Sequence, residues 1–118
     1  MGKLRAIFID PAAKTVTETT IENDLHAMYA RIGCRLIQVV EYRDELIVCD
    51  EEGRLNPWTH GFQLADWRIV GKALILGEDE DGDFAESKLT PETIANEIRF
   101  FGREEKFDKP RTLVLGFC

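Results

Sequence analysis

The chain is poor in the residues that small proteins use for stapling and for catalysis. It has three cysteines, Cys34, Cys49 and Cys118, a single serine, Ser87, and two histidines, His26 and His60. An odd number of cysteines with no CxxC spacing excludes a disulfide framework of regular spacing and a thioredoxin-like pair. Cys49 lies inside an apolar run and reads as a small buried hydrophobe. Ser87 stands in a charged segment with no GxSxG elbow around it, and neither histidine lies at metal-ligand spacing from a second His or Cys. Gly71 and Gly77 lack the spacing and the following helix of a phosphate loop. No apolar run approaches the ~20 residues of a membrane span, and none follows the first basic residues as a signal peptide would. The expectation from these absences is a reduced, cytoplasmic, non-enzymatic protein with no metal, cofactor or membrane partner.

Excess positive charge is also missing. The 118 residues hold 15 basic and 22 acidic side chains, a net charge of −7. Nucleic-acid binding needs clustered Lys and Arg, and here they are scattered, so direct binding of nucleic acid is not expected. An acidic surface favours solubility and basic partners. The hydrophobic content of 44% with 31% charged residues suits one globular domain spanning residues 1–118.

Strand and helix patterns fill most of the length. Residues 4–9 (LRAIFI) form a strand stopped by Asp10-Pro11, and the Thr-rich residues 15–21 pair back as a half-exposed strand near an edge. Leu25, Met28, Tyr29 and Ile32 recur at helical spacing, with Asn23 as N-cap and Gly33 as stop. Residues 36–42 (LIQVVEY) are apolar on both sides, which predicts a central strand. Arg43-Asp44 turns it into residues 45–50 (ELIVCD). Residues 56–67 (NPWTHGFQLADW) look irregular because Pro57 and Gly61 interrupt them, yet they carry Trp58, Phe62, Leu64 and Trp67. That much aromatic surface reads as a lid over the core, with a binding surface as the alternative. An apolar strand at 73–76 leads into an acidic turn where Asp81-Gly82 suits a type I′ hairpin. Thr90-Pro91-Glu92 opens a second helix whose stripe is Ile94, Ile98 and Phe101, closed by Gly102. A charged connector and a last strand at 112–117 complete an α+β fold. The expected architecture is a mainly antiparallel sheet of about six or seven strands with two helices packed on it.

Two stretches are candidates for function. In the acidic turn Asp79, Asp81 and Asp83 alternate like the ligands of a calcium loop. An EF-hand loop wants glycine at its sixth position and glutamate at its twelfth. Counted from Asp79 these are Phe84 and Thr90, so the register fails and an acidic binding surface remains. The second stretch gathers Glu52, Asn56, Trp58 and His60 within ten residues, a carboxylate, amide, indole and imidazole suited to a small ligand.

Three segments together carry a family resemblance. They are Ile32-Gly33-Cys34-Arg35-Leu36-Ile37-Gln38-Val39-Val40, then Asp50-Glu51-Glu52-Gly53-Arg54-Leu55-Asn56, then Ile69-Val70-Gly71-Lys72-Ala73-Leu74-Ile75-Leu76-Gly77. In order they give a helix ending in glycine before an apolar strand, an E-E-G turn leading to asparagine, and a V-G-x-apolar strand ending in glycine. This pattern resembles the phage and mobile-element family DUF3846, over roughly residues 4–83. The resemblance implies a small intracellular protein of viral or plasmid origin, located in the host cytoplasm, and supplies no activity. The expected function is that of a non-enzymatic accessory protein binding a macromolecular partner. That partner would be a basic or nucleic-acid-binding protein, engaged by a counter-defence inhibitor or nucleic-acid mimic. The alternative is a small-ligand domain using residues 52–67. Pairing of two copies through the strand edges at 15–21 or 112–117 is a further expectation.

Overall fold

A computed structural model describes residues 2–55 and 58–104. The strands are β1 (Lys3–Asp10), β2 (Thr15–Glu22), β3 (Ile37–Tyr42), β4 (Glu45–Asp50), β5 (His60–Leu64), β6 (Trp67–Val70), β7 (Ala73–Glu78), β8 (Phe84–Ala85) and β9 (Arg99–Gly102). The helices are α1 (Leu25–Ile32) and α2 (Pro91–Ala95). The α+β class with mainly antiparallel pairing holds, and the strands divide into two sheets. The larger has the order β2-β1-β7-β4-β3 with β8 beside the end of β7, and the smaller has the order β6-β5-β9.

Alternation along the strands explains the layers. Ile7, Ile9, Ile47, Cys49, Ala73 and Ile75 share one face of the large sheet. They pack in one core cluster with Phe62, Leu64 and Ile69 of the small sheet and Ile94 of α2. Ala6, Val48, Leu74 and Leu76 point the other way, against Met28 and Ile32 of α1. Strand β7 serves both cores, so Leu74, Ile75 and Leu76 are wholly buried. Each such side chain contributes about 1.5–3 kcal/mol through burial.

Tertiary contacts redraw several sequence-based expectations. Residues 60–64 form strand β5 despite Gly61. A Cβ at Gly61 would stand 2.4 Å from the Ile69 carbonyl oxygen and 2.6 Å from the Phe101 ring. The glycine therefore admits the partner backbone and an aromatic ring, a strand role for glycine and not a break. The buried Phe62 and Leu64 make this stretch part of the core. The second helix ends at Ala95, and Arg99–Gly102 pairs with β5 as a strand. Ile94 and Phe101 therefore belong to different elements, because pairing beside Gly61 outweighs the helical spacing. Among the described residues strand β3 is an edge strand, paired with β4 alone. Its outer apolar residue Val39 is 42% exposed, so apolar residues on both sides did not signify a central place. The cap of α1 is Asp24, one residue after Asn23. Its carboxylate accepts from the His26 amide at 2.8 Å, and Gly33 stops the helix at φ 80°.

The β3–β4 hairpin turns on Arg43 and Asp44, with φ of 50° and 63° and no glycine. Among the described residues strand β2 lies at an edge of the large sheet, and the edge strand expected at 112–117 lies outside them. Trp67 joins the two sheets by donating from its indole Nε1 to the Glu41 carbonyl at 2.9 Å. Among the described residues, no helix is long and apolar enough to cross a membrane.

Candidate functional site

The pairing register builds an acidic end on the large sheet. Leu46 opposes Leu76 across β4 and β7, so the Arg43-Asp44 turn and the loop after Glu78 emerge side by side. A hollow of about 350 Å³ between them is lined by Glu41, Tyr42, Arg43, Asp44, Glu45 and Glu78. Beyond it, residues 79–83 form a five-residue loop between the paired Glu78 and Phe84. The type I′ turn expected at Asp81-Gly82 is replaced by this wider loop, in which only Gly82 has positive φ. Asp79 organises it: its Oδ1 accepts from the amides of Asp81 at 2.9 Å and Asp83 at 3.0 Å. The Asp79 carboxylate is thus turned onto its own backbone, an Asx arrangement, while Asp81 and Asp83 face water. Among the described residues, no group of three or more His, Cys, Asp or Glu is arranged to hold a metal ion.

Arg43 is the one cation among the described residues lining this hollow, and it is already engaged. Arg43 forms an ion pair with Glu97, to which the Tyr42 hydroxyl also donates a hydrogen bond. Arg43 Nε lies 3.2 Å from the Tyr42 hydroxyl. Burial, and next the hydrogen bond to Glu97, push the Tyr42 phenol up to about 12. Hydrogen bonds from Arg43 and then Tyr42 hold the Glu97 carboxyl below its ordinary value. The Arg43 charge is spent on Glu97, and Glu41, Asp44, Glu78, Asp81 and Asp83 take part in none of the ion pairs among the described residues.

The second candidate stretch is split. Glu52 forms a two-oxygen ion pair with Arg35, at 3.1 and 3.2 Å from Nη2, and Asn56 lies outside the described residues. Trp58 and His60 do come together. They line a hollow of about 310 Å³ whose wall also includes Asp50 and Lys72. Trp58 packs against Phe101 in a T-shaped contact with centroids 5.9 Å apart. Asp50 and Lys72 escaped sequence reasoning, although both stand inside the glycine-bearing segments that carry the family pattern.

Among the described residues, neither cysteine nor Ser87 is an activated nucleophile. Burial, followed by the charge of Asp50, pushes the Cys49 thiol up to about 12 and raises that of Cys34. A catalytic thiolate needs the opposite shift. Ser87 is buried and donates its hydroxyl to Glu45 at 2.6 Å, a packing role.

These features define an α+β domain of two antiparallel sheets with a carboxylate-rich end and a separate small hollow. The chain belongs to the family described as Domain of unknown function (DUF3846), whose model matches residues 4–102. The match runs from β1 through the last residue of β9, beyond the segments that carry the pattern in the sequence. No curated protein and no solved structure matches the chain.

Proposed function

We propose that this protein is a non-enzymatic accessory protein of phage or mobile-element type, acting in the host cytoplasm by binding a basic macromolecular partner. The observation that carries the reading is the convergence of two acidic stretches, Glu41 to Glu45 and Glu78 to Asp83, at one end of the large sheet. Carboxylates gathered on adjoining turns raise the local negative potential and steer a positively charged surface into contact. A partner whose groove binds nucleic acid has such a surface, and the acidic end would compete for it.

The test compares the wild type with a charge-reversed variant, Asp44→Lys, Glu78→Lys, Asp81→Lys and Asp83→Lys, as baits in host lysate at low and high salt. The reading expects capture of a nucleic-acid-binding protein that the variant fails to retain and that added duplex elutes. Capture indifferent to salt, or equal with both baits, overturns it. Pairing of two copies along the β2 edge belongs to the same proposal, and sedimentation analysis checks it. One observation favours the second reading, a small-ligand domain: Trp58 and His60 line a common hollow.

A further inference from the structure

The hollow beside Trp58 is where the three glycine-bearing segments of the sequence meet. Gly33 ends α1, Gly53 lies in the turn after β4, and Gly71 links β6 to β7, and all three line this one space. Gly33 and Gly71 have φ of 80° and 90°, a backbone conformation that other residues adopt at a cost. At Gly53 a Cβ would stand 2.9 Å from the Val70 carbonyl oxygen, so the turn is pressed against the end of β6. Gly71 in turn donates its amide to the His60 carbonyl at 3.0 Å. Three tight turns from separate parts of the chain therefore wall the hollow with bare backbone, and side chains with chemistry occupy the remaining positions.

Three of those side chains, Asp50, His60 and Lys72, have unused bonding capacity among the described residues. Asp50 accepts the Glu52 amide at 2.9 Å through Oδ1, and its Oδ2 has no donor among the described residues. His60 uses Nδ1 on the Thr59 hydroxyl at 2.8 Å, which leaves Nε2. Lys72 is exposed and makes none of the ion pairs among the described residues. An ammonium, a carboxylate oxygen, an imidazole nitrogen and an indole thus border a single space.

We infer that this hollow binds a small planar heteroaromatic anion. Its phosphate or carboxylate would pair with Lys72, a ring N–H would donate to Asp50, and its ring would stack on Trp58 or His60. Stacking of a base on an aromatic side chain contributes about 1–3 kcal/mol. A volume of about 310 Å³ lies at the small end of the ~300–1,000 Å³ range of ligand pockets. That size suits a mononucleotide or a smaller ring acid and is too small for a dinucleotide. The acidic end does not repel such a ligand. Glu45 and Asp50 are the two ends of β4, five steps of roughly 3.4 Å apart. The resulting ~17 Å is about twice the screening length of roughly 8 Å at physiological salt.

The inference rests on the small-ligand reading of this hollow, is independent of the acidic-end proposal, and has its own test. In a Trp67→Phe background Trp58 is the only indole, because the chain has two tryptophans. Its emission, with calorimetry in parallel, is followed on titration with uridine monophosphate, orotate, uridine and inorganic phosphate, because the uracil ring carries the N–H that Asp50 would accept. Saturable binding of the monophosphate or of orotate is expected, and which one binds separates phosphate from carboxylate recognition. Uridine and free phosphate should each bind at least tenfold more weakly, and Lys72→Gln should remove the advantage of the charged ligand. Absence of saturable binding by either ring anion at about 1 mM overturns the inference. Undiminished affinity in Lys72→Gln, or inorganic phosphate binding as tightly as the monophosphate, overturns it equally.

Discussion

Replacing Glu45 with alanine probes the one charged side chain in the described core, which is 7% exposed. Its carboxylate holds an extended segment against the large sheet: Oε1 accepts from the Ser87 hydroxyl and Oε2 from the Lys88 amide, both at 2.6 Å. Ser87 Oγ accepts in turn from the Leu89 amide at 3.2 Å. Arg5 completes the clasp by donating to the carbonyls of Ser87 at 2.7 Å and Leu89 at 2.8 Å. A hydrogen bond to a charged group contributes about 1.5–3 kcal/mol, so two bracket roughly 3–6. Removing the carboxylate also relieves its desolvation, which places the loss near 3–4 kcal/mol. That is a large share of the ~5–15 kcal/mol stability of a domain. Urea denaturation should show the midpoint falling by roughly 2 M with an unchanged slope. Amide exchange at Lys88 and Leu89 should accelerate before global unfolding. In a double-mutant cycle with Ser87→Ala the coupling should reach about 1.5–2 kcal/mol. A loss below about 1 kcal/mol for Glu45→Ala, or zero coupling to Ser87, would refute the clasp.

Three further outcomes follow from individual contacts. Gly61→Ala drives a methyl group to 2.4 Å from the Ile69 carbonyl oxygen; a loss of about 2–3 kcal/mol is expected, and a variant as stable as wild type would show that β5 and β6 can separate freely. Ala65 occupies the β5–β6 turn at φ 53°, so Ala65→Gly should raise stability by roughly 0.5–1 kcal/mol, as relief of left-handed strain outweighs the added freedom of the unfolded chain; an unchanged or lower melting temperature contradicts this. Glu97 has a depressed carboxyl pKa in the folded state through Arg43 and then Tyr42. Its contribution is present above the ordinary value of 4.5 and lost as pH falls through the depressed one. The melting-temperature gap between wild type and Glu97→Gln should therefore stand at pH 7 and close in acid, and a gap that widens in acid would reverse the assignment.

Local chemistry made much of the scaffold legible. Short apolar runs bounded by turn residues marked β1, β4 and β7 as strands, because run length and flanking turn chemistry are local properties. Gly33 and Thr90-Pro91 marked a helix end and a helix start, since capping acts within a few residues. The acidic character of residues 78–83 needed only composition, and the failed calcium register only counting.

What the tertiary structure decided were the choices between locally acceptable alternatives. Arg99–Gly102 fits a helical stripe as readily as a strand, and pairing with β5 beside Gly61 settled it as a strand. Strand β3 looks central from its apolar residues, and only the strand order puts it at an edge. Convergence lies further from reach. Glu41 and Asp44 join Glu78 because β4 pairs antiparallel with β7, and Gly33, Gly53 and Gly71 border one hollow because three turns meet there. Periodicity reports which face of an element is apolar and carries no term for its neighbour; distances between turns far apart in sequence arise only from the register of the whole sheet.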